Sequence, residues 1–150
     1  MSSPMSNDVR QLLSRCVTAR VCTTRGDGAP HAAPFWMSFD GARIYLDTLE
    51  NATVRNLRRD PRVAVLVDEG TTFEDLHGTL VRGVARLWTE GEAPENVRQG
   101  IQALRAAHEA ETSTPLFDAY LAQETRNVVL VEIVPEAATH WDLAASAGGR

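Results

Sequence analysis

Apolar and polar side chains alternate from Val17 to Thr24, with Val17, Ala19, Val21 and Thr23 set against Thr18, Arg20, Cys22 and Thr24. That period of two predicts a half-buried strand. Arg25-Gly26-Asp27-Gly28 is a turn sequence, and a second strand is expected over His31–Phe39. Asp40-Gly41 turns the chain again into a third strand, Arg43–Thr48. The period then changes. Asn51 caps a helix predicted to run to Arg59, where Asp60-Pro61 stops it, because a residue before proline avoids the helical region. An earlier short helix, capped by Ser6 or Asn7, reaches Arg15 with Val9, Leu12 and Leu13 on one face. Val63–Asp68 gives a mostly apolar fourth strand and Leu76–Trp88 a long fifth, with Gly78 and Gly83 marking bulges or kinks. Within Ala93–Ala110, Val97, Ile101, Leu104 and His108 fall at helical spacing. A second short helix is expected over Pro115–Gln123, and a sixth strand over Asn127–Val134.

Six strands joined mostly by tight turns predict a mainly β fold of the α+β kind: a small antiparallel barrel with peripheral helices, closed so that sheet edges disappear. A doubly wound parallel sheet is excluded, since it needs a crossover helix after nearly every strand and the first three strands have none. The length suits one domain over residues 1–150. Its ends, residues 1–7 and 144–150, are polar or small and are expected to be flexible.

Composition narrows the chemistry. Twenty acidic residues against fifteen basic ones give a net charge of −5, which argues against nucleic acid or an acidic membrane as partner. All fifteen basic residues are arginine, so lysine nucleophiles and Schiff bases are excluded. Met1–Asn7 carries no apolar stretch that reads as a secretory signal, and the longest apolar run, Val63–Val67, is far short of a membrane span. Cys16 and Cys22 are separated by about 20 Å if the chain between them is extended, too far for a disulfide. A cytoplasmic location with reduced thiols is the expectation.

Two segments stand out. Asn51 opens a helix whose first N–H groups lack intrahelical partners, and Arg55, Arg58, Arg59 and Arg62 follow it. Four arginines in eight residues of an acidic chain fit a phosphate or carboxylate site; a solvated face paired with Asp60 and Asp68 fits the same residues equally well. Pro34 interrupts the second strand, where a missing N–H would let a planar ligand approach the backbone beside Phe35 and Trp36. A plain edge strand is the alternative. His31, His77, His108 and His140 have no metal-ligand spacing, so no metal site is expected; His108 reads as a packed helix histidine, while His31 and His77 could line a pocket. No serine-nucleophile elbow, phosphate-binding glycine-lysine loop or dinucleotide fingerprint is present, which leaves borrowed cofactor chemistry or simple binding.

These stretches together resemble the FMN-binding split β-barrel superfamily of pyridoxamine 5′-phosphate oxidase-like proteins, and within it the flavin- and deazaflavin-dependent reductases. The resemblance is carried by Gly26 to Pro34, Ile44 to Thr48, Val54 to Val63, Arg82 to Ala85 and Pro135 to Asp142. It implies a six-stranded antiparallel split β-barrel and a homodimer with cofactor grooves between subunits. It also implies FMN or a deazaflavin (coenzyme F420) as cofactor, and hydride transfer to a small-molecule acceptor. The phosphate end would lie at Thr48, Asn51, Ala52, Thr53, Arg55, Asn56 and Arg58, and the ring along Ala33, Pro34, Phe35 and Trp36. No side chain is assigned as a catalytic acid. One departure matters: members commonly carry a lysine two residues before the position of Arg55, and this chain has Thr53. That substitution favours the alternative of a non-catalytic binding or storage protein for flavin, deazaflavin or haem.

Overall fold

The computed structural model describes residues 5–122 and 128–148. Helix α1 (Asn7–Arg15) is capped by Ser6, whose hydroxyl accepts the Val9 N–H. Strands β1 (Thr18–Thr24), β2 (Pro30–Trp36), β3 (Ser38–Phe39) and β4 (Ile44–Leu49) follow, then α2 (Ala52–Arg59), β5 (Arg62–Glu69) and β6 (His77–Trp88). Helices α3 (Glu95–Ala107), α4 (Glu109–Thr112) and α5 (Pro115–Ala122) lead to β7 (Val128–Asp142) and a last helix, α6 (Leu143–Gly148). Helix α6 runs to Gly148, and Met5 is buried. Gln123 and Asn127, expected to end a helix and start a strand, lie outside the described residues, as do residues 1–4 and 149–150.

All pairings are antiparallel, in the order β2-β1-β5-β6-β7-β4-β3. Seven strands replace the six expected, because the strand expected over His31–Phe39 breaks at Met37. Met37 is buried and gives its N–H to the Val17 carbonyl, after which Ser38 pairs with Tyr45. The chain therefore steps from one lateral edge of the sheet to the other within one residue, and the sheet curls into a half-barrel whose edge strands β2 and β3 do not pair, so the expected closure that would remove sheet edges is not complete. The last strand is also longer than expected, running through Pro135 to Asp142. Beyond Ile133 it no longer pairs with β4, and Pro135 sits opposite Gly83 at a register shift, so a missing N–H costs nothing there. Two of the turns were correctly placed: Gly28 and Gly41 have φ of 85° and 96°, conformations open to glycine, and Asp27 and Asp40 accept backbone N–H bonds beside them.

Inward-facing Ala19, Val21, Val63, Val65, Val67, Val81, Val131 and Ile133 fill the barrel, with α1 closing over it through Leu12 and Leu13 and α2 through Val54 and Leu57. A second cluster, Tyr45, Ala93, Val97, Ile101 and Leu130, packs outside the sheet beneath α3. There the buried Glu132 carboxylate pairs with Arg43 and accepts bonds from Asn96 (2.8 Å) and Trp88 (3.3 Å), enough donors to hold a buried charge.

Candidate functional site

Helix α2 starts as its sequence dictates. Asn51 Oδ1 accepts the Val54 N–H at 3.0 Å, and Asn51 Nδ2 donates to Thr48 Oγ1 at 2.8 Å, tying the helix to the end of β4. The N–H groups of Ala52 and Thr53 take no hydrogen bond, so they form the electropositive end of the helix. Val54 and Leu57 anchor the other face in the core. Asn56 is buried, donating to Thr23 Oγ1 at 3.0 Å and accepting from Arg59, so its side chain holds α2 to β1. Thr53 is only 3 % exposed, and its short side chain brings no cation to this end of the helix.

The four arginines divide. Arg58 is bound to Glu50 at 3.0 Å, Arg59 donates to the Thr24 carbonyl and to Asn56, and Arg62 begins β5 and pairs with Asp60 at 2.7 Å. Hydrogen bonding to Arg62 pulls Asp60 down to about 2, and bonding to Arg58, with the nearby charge of Arg55, holds the Glu50 carboxyl below its usual range. The solvated-face reading describes these three arginines, although Asp68 pairs with Arg20 instead. Arg55 is exposed and has neither a hydrogen bond nor an ion pair. It lies one turn inside the helix start and is the member of the cluster left to meet an anion.

Strand β2 pairs with β1 alone, so its outer backbone edge is open, and Pro34 lies on it opposite Arg20. Pro34, Phe35, Trp36 and Thr18 line a pocket of about 350 Å³. Helix α2 packs on β1 and β2. Of the expected residues, Pro34, Phe35 and Trp36 line the pocket, Thr48 and Asn51 to Thr53 lie at the helix start, and Arg55, Asn56 and Arg58 follow along α2, Arg58 in its last turn. Ala33 precedes Pro34 in β2. His77 is not among them; it sits in an exposed cluster with Glu69 and Arg15.

One contact was not foreseen. His108, between α3 and α4, stacks on Trp36 with ring centroids 3.9 Å apart and planes 6° from parallel. Its position on a helical stripe marked it as packed, but nothing local pairs it with a residue so distant in the chain. A larger cleft, about 570 Å³, lies across the outer face of β1, β5, β6 and β7, and is lined by Cys22, Ala64, Arg82, Glu136 and Ala137 among others.

The family model described as pyridoxamine 5′-phosphate oxidase matches residues 5–142. Among solved structures, a conserved hypothetical protein of Mycobacterium tuberculosis is 28% identical, with a TM-score of 0.73 over 95% of this chain and 88% of that one. An FAD-binding protein of Mesorhizobium loti is 17% identical, with a TM-score of 0.70 over 91% of this chain and 92% of that one. An F420 reductase is 18% identical, with a TM-score of 0.67 over 90% and 98% respectively; these last two likenesses show the fold. No curated protein matches the chain. Among the described residues, no helix is long and apolar enough to cross a membrane.

Proposed function

Since the chain belongs to the pyridoxamine 5′-phosphate oxidase family, we propose that it is an oxidoreductase that binds FMN or a deazaflavin (coenzyme F420) and passes hydride to a small-molecule acceptor. The observation that carries this reading is the guanidinium of Arg55, without a hydrogen bond or ion pair, near a helix start where the Ala52 and Thr53 N–H groups stay free, on a helix packed against the open strand that bears the aromatic pocket. Ala52 and Thr53 N–H groups and Arg55 suit the phosphate; the edge of β2 at Ala33, Pro34, Phe35 and Trp36 suits the ring. The cofactor supplies the redox chemistry when bound. This chain's residues hold its phosphate, orient its ring against β2 and exclude water with the Phe35 and Trp36 side chains. A homodimer with the grooves at the subunit interface belongs to the same proposal, and the fold neighbours that bind FAD or act on F420 support its cofactor class.

Arg55→Ala tests it. A charge-assisted bond contributes about 1.5–3 kcal/mol, so FMN or F420 binding, followed by fluorescence titration, is expected to weaken roughly 10- to 150-fold. Arg86→Ala removes another exposed arginine, on β6, that likewise has no hydrogen bond or ion pair, and serves as the control. Equal binding by both variants sinks the phosphate assignment. The second reading, storage or sensing of a flavin, deazaflavin or haem without turnover, is favoured by Thr53, which leaves the helix start one cation poorer. Turnover separates them: bound reduced cofactor should be oxidised by an acceptor faster than free cofactor.

A further inference from the structure

His108 is the one described residue with buried side-chain polar atoms that find no partner: it is 4 % exposed, and neither ring nitrogen makes a hydrogen bond. A buried imidazole without partners is unfavourable, and each such group in a native fold calls for a reason. Packing alone does not supply one, since a phenyl ring would fill the place without two unmet nitrogens. What His108 does contact is Trp36, face to face at the spacing of stacked rings. Trp36 stays 38 % exposed and lines the Pro34–Phe35 pocket, and His108 is not part of that lining. The chain beyond His108 is weakly held as well. Helices α4 and α5 bury no side chain, and Leu116 at 82 %, Tyr120 and Leu121 are exposed. A segment with so few anchors opens at low cost.

We infer that the face of Trp36 covered by His108 is a stacking platform for a planar heterocyclic ligand, and that the imidazole competes with that ligand for it. The inference rests on the reading that a flavin-class ring lies along β2, and adds to it a gate made of the chain's own side chain. When a ligand ring takes the Trp36 face, His108 turns out towards water with the start of α4, and its two nitrogens regain hydrogen bonds. The lost stack is offset by that rehydration and by the new stack on the indole. His108 thereby sets how readily the pocket opens, a conformational cost that lowers apparent affinity without touching the ligand.

Two substitutions with opposite expected signs test this, with FMN and F420 as probes in fluorescence titration. His108→Ala removes the competing ring and is expected to tighten binding about 3- to 10-fold, the size of one aromatic contact. His108→Phe keeps a stacking ring free of unmet nitrogens, so it should raise the melting temperature of the protein alone by about 2–4 °C and weaken probe binding by a similar 3- to 10-fold. Trp36→Ala should abolish the difference between the two. A purely structural His108 would move both variants the same way, and that result, or a wild type whose affinity neither change alters, overturns the gate while leaving the flavin reading intact. If wild type and His108→Ala both ignore FMN and F420, the flavin reading fails and takes the gate with it. Should His108→Ala unfold, His108→Phe decides alone.

Discussion

His77 shows how single residues tune this fold. Its Nδ1 meets the Asp75 carbonyl and its Nε2 the Glu69 carboxylate, both at 2.9 Å, while Arg15 binds the same carboxylate at 3.0 Å. The Asp75 bond chiefly, then Glu69, raise the His77 pKa against burial and the opposing Arg15 charge. A pKa raised on folding stabilises below the unfolded value, about 6.5, and that contribution disappears as pH rises through the folded value. The melting-temperature advantage of wild type over His77→Gln is therefore expected to be largest near about pH 6 and to shrink by about pH 8. A gain that grew with pH would contradict the assignment. The cluster is exposed, so the effect is small. The same exposure distinguishes Arg55, whose removal should leave the melting temperature nearly unchanged while binding falls.

Elements obey their neighbours as much as their own sequence, and α3 makes the point at Gly100. Alanine is the better helix former by about 1 kcal/mol, yet a Cβ there would stand 2.2 Å from Cδ2 of Tyr45. That ring cannot move aside, because its hydroxyl bonds Asp40 and Asn96 and burial with the Asp40 bond pushes its pKa up to about 12. Overpacking costs about 1–3 kcal/mol, so Gly100→Ala is expected to lower stability in urea melts despite its propensity; a stabilised variant would refute the packing argument. What was legible in the sequence follows the same division. The Asn51 cap, the glycine turns and the strand alternation are local signals, and each led to the observed element. Met37 was missed because apolar alternation runs straight through the break. Pro135 hid the rest of β7 because only the partner strands show that its N–H is not needed. On the site, the helix start and Pro34 were legible as local oddities, whereas the Trp36–His108 stack and the sorting of four arginines into one free and three engaged depend on contacts between distant residues.

At the scale of the whole molecule, the outer face of β1, β5, β6 and β7 carries half-buried Ala64, Leu66, Leu80, Val84 and Val134. Arg82 and Glu136 border the cleft on that face, and neither has an ion-pair partner. If the proposed homodimer forms through this face, Arg82 of each copy is expected to pair with Glu136 of the other, the reciprocity of an isologous interface. Light scattering after size exclusion should accordingly report about twice the mass of one chain. Arg82→Glu should shift it towards monomer and Glu136→Arg restore it in the double variant; a wild-type monomer at micromolar concentration would exclude the interface. The strand order carries a different consequence, for synthesis. Strand β7 is made after the other described strands yet lies between β6 and β4, pairing Ile133 with both Ile44 and Ala85. Until it emerges, the nascent chain holds two open apolar edges that invite pairing with other chains. A chain released after residue 127 is expected to aggregate, and solubility to return only when β7 is complete.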